Sequence, residues 1–256
     1  MHPTRIAELL EPFLGAPVPG SRRPSDPSHS EPAKAGEEPA FLPPAQLQSI
    51  STYIDILLRW NARINLTAIR DPDQIVTRHF GESLFAARHL FPLEAHVETA
   101  APGCPAERSS AAHGRPIAGN RTSVADVGSG AGFPGLPIKL WAPHISLTLI
   151  ESNQKKVAFL REVARALILT DINITNVRAE ALSNATFSVV TLRAVESFEA
   201  ILPVAAGLVA PAGSLALLIG IAQLDRARLA LPQFAWSSPE PIPRSRNRIL
   251  AVAHRL

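Results

Sequence analysis

The run Val124-Ala125-Asp126-Val127-Gly128-Ser129-Gly130-Ala131-Gly132-Phe133-Pro134-Gly135 restricts the fold more than any other stretch of the chain. A short apolar segment ends in a carboxylate and then turns through closely spaced glycines. That pattern predicts a strand feeding a loop whose backbone approaches a ligand, then a helix that Pro134 and Pro137 suit at its first turn. Gly130 to Gly135 also satisfies G-x-G-x-x-G, the spacing of dinucleotide turns. Asp126 separates the candidate ligands. A carboxylate at the mouth of the loop repels a pyrophosphate, whereas it attracts the sulfonium and ammonium groups of S-adenosyl-L-methionine. The loop, with Asp126, Gly128, Gly130 and Gly132, therefore reads as a cradle for the methionine half of that cofactor.

Beyond residue 123, strand-like and helix-like segments alternate. Val124–Val127, Ser146–Glu151, Asn173–Val177, Phe187–Leu192 and Ser214–Ile219 read as strands, with helices over Leu136–Trp141, Lys155–Leu169 and Glu199–Val209. The alternation predicts an α/β domain over 123–256, a mostly parallel, Rossmann-like sheet with helices on both faces. Ile249–Ala253 is expected to add an antiparallel edge strand. Ahead of it, 44–97 reads as a small helical subdomain, from the apolar spacing Leu47, Ile50, Ile54, Leu57 and Leu58 and a helix start at Asp71-Pro72. Residues 1–43 read as an N-terminal extension that is largely a disordered linker, behind a short amphipathic helix carrying Ile6, Leu9, Leu10 and Phe13. Residues 98–122 read as a low-complexity insertion before the first core strand.

Composition narrows the function classes. Apolar residues make up 46% of the chain, enough for a sizeable core. The single cysteine, Cys104, excludes an internal disulfide and a thiolate zinc site, and the eight histidines show no ligand spacing, so no metal is expected. No basic and then apolar leader opens the sequence, which predicts a cytoplasmic protein. The apolar stretch Ile201–Ala222 is broken by Pro203, Gly207, Pro211 and Gly213 and reads as helix, turn and strand, so no membrane partner is expected. Lysine occurs at 34, 139, 155 and 156 alone, and every other basic residue is arginine. Arginine grips phosphate bidentately and stacks on bases, which suits RNA, but codon bias gives the same composition.

Several side chains fall where chemistry is expected. Glu151 follows the second strand, where a carboxylate can accept both ribose hydroxyls of a nucleoside or cap the next helix. Ala179 and Glu180 follow the third strand and can read the adenine edge, or form an idle surface loop. Arg193 leaves the end of a buried strand, so it must meet a carboxylate, the cofactor or an RNA phosphate. Asn65, Arg78 and His79 cluster near the end of the helical segment. They are candidates for RNA contact, with helix capping (Asn65) and a satisfied interior histidine (His79) as the plainer readings. Arg246 and Arg248 belong to a basic C-terminal run that can meet phosphate.

At this point the chain resembles a known family. Trp60-Asn61-x-x-x-Asn65-Leu66-Thr67, Arg78-His79, the glycine motif with Pro134 and Pro137, Glu151 with Lys155-Lys156-x-x-Phe159-Leu160, and Arg193-Ala194 are together similar to the bacterial RsmG group, also called glucose-inhibited division protein B. The resemblance implies a class I methyltransferase that uses S-adenosyl-L-methionine to form 7-methylguanosine in 16S ribosomal RNA. Its implied partner is 16S RNA or the small ribosomal subunit, and a monomer is expected. Gly128, Phe133, Ala179, Glu180 and Arg193 match cofactor-contact positions of that group. Three positions depart from it: Ile219 stands where the group has lysine, Asn247 where it has arginine, and Glu82 where it typically has aspartate. Two other classes stay open: an RNA-binding protein that keeps the fold with reduced or lost activity, for which Ile219 is the best support, and a nicotinamide-dependent oxidoreductase, against which Asp126 argues.

Overall fold

The computed structural model describes residues 1–15, 42–92, 121–182, 186–193 and 197–256. Most of the predicted linker and of the predicted insertion, with Cys104 and Ala194, lie outside the described residues.

Helix α1 (Pro3–Leu14) starts on Pro3 with the His2 side chain accepting the Thr4 N–H. Its apolar stripe Ile6, Leu9, Leu10 and Leu14 shares a core with Leu47, Ile50, Ile54 and Leu57 of α2 (Pro44–Ile64), so the predicted amphipathic helix joins the helical body. Asn65 ends α2 in the left-handed conformation that asparagine tolerates at a helix C-terminus. Asp71 caps α3 (Pro72–Gln74) by accepting the Gln74 N–H. The chain then widens into a π-helical turn over Ile75–Gly81 before α4 (Glu82–Leu90). The sequence predicts an uninterrupted helix here. The π turn displaces Arg78 and His79 from regular helical register, a distortion frequent at functional sites.

The sheet runs β3-β2-β1-β4-β5-β8-β6. Strands β1 (Ser123–Val127), β2 (Ser146–Ile150), β3 (Ile172–Thr175), β4 (Phe187–Arg193) and β5 (Val209–Gly220) are mutually parallel, and β8 (Arg248–Arg255) is antiparallel to β5. Ile249–Ala253 is therefore antiparallel as expected, but it is not an edge. The short strands β6 (Phe234–Trp236) and β7 (Glu240–Pro241) pair with its far side. They are too brief to leave an alternating pattern in the sequence.

Alternation along each strand divides the core in two. Val124, Leu147, Leu149 and Val189 face α5 (Gly135–Trp141), α6 (Gln154–Ala166) and the helical body. Ala125, Val127, Val190, Leu192 and Leu217 face α7 (Phe198–Gly207) and α8 (Leu224–Ala230). Both faces of the sheet are thus covered. Connections from β1 run outward to β2 and β3, whereas β4 lies on the other side of β1. A switch point of this kind opens a crevice at the carboxyl ends of the strands.

The candidate cofactor and RNA cleft

A cleft of about 990 Å³ opens at that switch point. Its walls come from the glycine loop after β1, the end of β2, the turn after β3, Arg193 at the end of β4, and the segment Leu66–Ala68 with His79 from the helical body.

The loop is built to hold its backbone toward the cleft. Gly128 and Gly130 have φ of 68° and 55°, and both line the cleft. Gly128 and Ser129 donate their N–H groups to the Ile150 carbonyl at 2.9 and 3.1 Å, which fastens the loop to β2. Gly132 is different. Its φ is 83°, and a Cβ there would meet the Tyr53 hydroxyl at 2.4 Å and Leu136 at 2.5 Å. It is glycine so that the loop can pack on the helical body, and it does not line the cleft. The cofactor contact expected for Gly132 is corrected accordingly.

Asp126 is a larger correction. It does not reach the mouth of the loop: it is 1% exposed and lies beneath α5. Its carboxylate accepts the Thr191 hydroxyl at 2.8 Å and the Gly135 N–H at 3.2 Å, at the N-terminus of α5. Burial pushes its pKa up to about 6, against the hydrogen bonds from Thr191, Gly135 and Ser129 that favour the anion. Asp126 therefore anchors the helix that follows the loop.

Glu151, rather than Asp126, is the carboxylate that lines the cleft beside the glycine loop. One carboxylate oxygen accepts the Gly130 N–H at 2.9 Å and the other accepts the Asn153 N–H at 2.8 Å. A carboxylate offers about four lone-pair directions, so acceptor capacity remains beside those two bonds. Glu151 lines the cleft with the buried Ala179 and the exposed Glu180, which begin a 3-10 turn over Ala179–Leu182.

On the opposite wall, Phe133 stacks between Tyr53 and His79, with ring centroids 5.4 and 4.8 Å away. His79 accepts from the Arg193 guanidinium at Nδ1, 3.3 Å away. Nε2 then carries the proton and donates to the Thr67 hydroxyl at 2.8 Å, an assignment fixed by the network. Burial, reinforced by the Arg193, Arg78 and Arg248 charges, brings the His79 pKa down to about 3, so the ring is neutral.

Arg193 meets a carboxylate, one of its three open expectations. Glu82, 1% exposed, lies 3.0 Å from an Arg193 Nη, 3.2 Å from Arg78 Nε and 3.0 Å from Arg248 Nε. Arg193 also donates to the Arg78 carbonyl at 2.7 Å, and Arg248 donates to the Leu218 carbonyl at 3.1 Å. One buried anion therefore gathers cations from the π turn, β4 and β8. Four of the expected RNA residues are placed elsewhere than in the cleft wall. Arg78 and Arg248 turn their charges toward Glu82, and Asn65 closes α2. Arg246 is exposed on the approach to β8, outside the cleft lining. Sequence reasoning missed Tyr53 and the joining role of Glu82. The i,i+4 spacing of Arg78 and Glu82 was the only local signal.

Ile219 is buried with Leu224 between the sheet and α8 and does not line the cleft. Its side chain therefore leaves the cleft wall as described above.

The sequence pattern of the family described as GidB, rRNA small subunit methyltransferase G, matches residues 46–97 and 109–241. This chain belongs to that family. A relative from Halorhodospira halophila, named ribosomal RNA small subunit methyltransferase G, is 38% identical over 174 residues, 68% of this chain and 69% of the relative. One of the same name from Xylella fastidiosa is 34% identical over 191 residues, 74% and 76% of the two chains. Family membership makes the protein an enzyme of the methyltransferase class, and its sheet is the class I methyltransferase sheet. The oxidoreductase reading falls with it. No described helix is long and apolar enough to cross a membrane, and no metal-ligand cluster occurs among the described residues.

Proposed function

We propose that the protein transfers a methyl group from S-adenosyl-L-methionine to N7 of a guanine in 16S ribosomal RNA. The observation that carries this reading is the Gly128–Gly130 backbone held against Glu151 at the carboxyl ends of the strands. The residues present fit the cofactor. Side-chain-free backbone leaves room beside the loop, Glu151 keeps acceptor capacity for ribose hydroxyls, and Ala179 and Glu180 offer backbone and carboxylate to the adenine edge. When bound, the cofactor supplies an electrophilic methyl group on a sulfonium.

The protein's own contribution is orientation. Guanine N7 carries a lone pair and no proton, so the chain needs no general base. The neutral His79, its Nδ1 occupied by Arg193, is consistent with that demand. Holding guanine and methyl group in one geometry is the main source of rate in such a reaction. Arg193 lines the cleft with its charge offset by Glu82, so its role is to offer N–H donors that orient the base. Of the expected phosphate contacts, the exposed Arg246 is the one whose charge is not turned toward Glu82, and a phosphate held there would set register without reading sequence.

The test is incubation with labelled methyl donor and small subunits that lack the modification. Label incorporated at guanine N7 of the 16S RNA supports the reading. Label on another atom, or none, rejects it.

A further inference from the structure

Arg161 and Arg165 stand one helical turn apart on the exposed face of α6. Like charges at this spacing repel. Among the described residues neither meets a carboxylate. Glu162, the acid of the same helix, turns the other way to Arg59 and the Trp60 indole. Asp171, at the start of β3, is taken by Arg121. The two guanidinia flank a hollow of about 420 Å³ floored by Leu169, Ile172 and Ile174. At its rim Ile168 is 86% exposed and holds a φ of 52°. The left-handed backbone closes α6, with the Ile168 N–H on the Arg165 carbonyl and the Leu169 N–H on the Ala164 carbonyl, and it leaves the isoleucine side chain exposed at the rim.

The hollow lies at the C-terminus of α6 and the amino end of β3, whereas the cleft opens at the carboxyl ends of the strands, and the two share no lining residue; the exposed edge formed by β3 and α6 runs between them. α6 runs beside β3, and Gln154 to Arg165 spans about 16 Å at the helical rise of 1.5 Å per residue. Two cations around an apolar floor, without a carboxylate partner among the described residues, match a strand that carries phosphates outside and bases inside.

We infer that the α6–β3 hollow is a second RNA subsite, holding a nucleotide of the substrate strand away from the methylated base, with Arg161 and Arg165 on its phosphates and the Ile168–Ile174 surface under its base. This rests on the RNA-methylating reading above and names where the flanking strand runs.

The test compares wild type with the double variant Arg161→Glu, Arg165→Glu and with Ile168→Ser, all at exposed positions. Binding of a fluorescein-labelled fragment of small-subunit ribosomal RNA is followed by anisotropy over a range of salt. Methyl transfer is measured on naked RNA and on assembled subunits. The double variant is expected to weaken RNA binding on the order of tenfold or more and to reduce the salt slope by about two, as for two lost phosphate contacts. Its kcat at saturating RNA and its cofactor affinity stay unchanged. Ile168→Ser weakens binding two- to threefold with the slope unaltered. Unchanged RNA affinity in the double variant overturns the inference. So does a defect confined to assembled subunits, which assigns the hollow to a ribosomal protein. If wild type binds RNA but transfers nothing, the methylation reading fails while the binding comparison still decides the subsite.

Discussion

The Tyr53 hydroxyl, on a helix of the N-terminal body, donates to the Ala131 carbonyl of the glycine loop. Tyr53 is fully buried, and its ring also stacks on Phe133. The helical body is therefore a buttress for the cofactor loop as well as a wall of the cleft. Tyr53→Phe keeps the ring and removes the donor, leaving a buried carbonyl without its partner. The expected loss is about 1–3 kcal/mol of stability, with cofactor affinity a few-fold weaker because the loop is no longer pinned. Thermal melts and calorimetric titration of the same preparation check both, and an unaltered affinity limits Tyr53 to packing.

Glu151 binds two backbone N–H groups with one carboxylate, so it shapes the loop and presents the remaining lone pairs together. Glu151→Ala is expected to weaken S-adenosyl-L-methionine binding on the order of ten- to a hundredfold, the range for losing charge-assisted hydrogen bonds. Calorimetry with the methyl donor measures it. Undiminished affinity removes Glu151 from the cofactor site.

Asp126 and His79 pull the pH dependence of stability in opposite directions. The Asp126 pKa is raised from 3.8 to about 6 by burial, so its contribution is fully present below pH 3.8 and is lost as pH rises through 6. That swing is roughly 3 kcal/mol. The His79 pKa is lowered from 6.5 to about 3, so its contribution is present above pH 6.5 and is lost as pH falls toward 3. That swing is roughly 5 kcal/mol. Asp126→Asn removes the compensating term. Its urea midpoint should exceed that of wild type at pH 8 and fall more steeply between pH 6 and 4. Cofactor affinity should stay within about twofold of wild type, since no Asp126 atom lines the cleft. A large affinity loss would restore Asp126 to the site.

The misreading of Asp126 shows where the sequence stops being informative. Strands β1, β2, β4 and β5 are legible because buried parallel strands are continuous apolar runs, and Gly128 and Gly130 because a ligand-facing turn needs them. A carboxylate at the end of a strand looks the same in sequence whether it faces ligand or core. Only its parity with Val124, which faces the α5 side, hints at burial. Glu82 was legible as half of a local pair with Arg78, but its other partners lie 111 residues away at Arg193 and on the final strand at Arg248. The π turn that aims His79 has no residue signature at all. The glycine turn after β1 was thus readable from local chemistry, and the arginine cluster was not, because tertiary packing assembles it.

That cluster gives the sharpest separation of roles. Glu82 is a single buried anion for three guanidinia, and only Arg193 among them lines the cleft. Glu82→Gln leaves three cations around a neutral amide and should destabilise the fold by about 3–5 kcal/mol. Arg193→Ala leaves Glu82 paired with Arg78 and Arg248, so the loss of stability should be clearly smaller. It also removes the donor to His79 Nδ1 and the N–H groups proposed to orient the base. Methyl transfer to small-subunit RNA should fall on the order of a hundredfold in kcat through loss of orientation, with cofactor affinity within a few-fold of wild type. Urea midpoints rank the two variants, and single-turnover kinetics with saturating RNA read the chemical step. An Arg193→Ala enzyme that retains the full single-turnover rate would reduce Arg193 to one more strut of the Glu82 cluster.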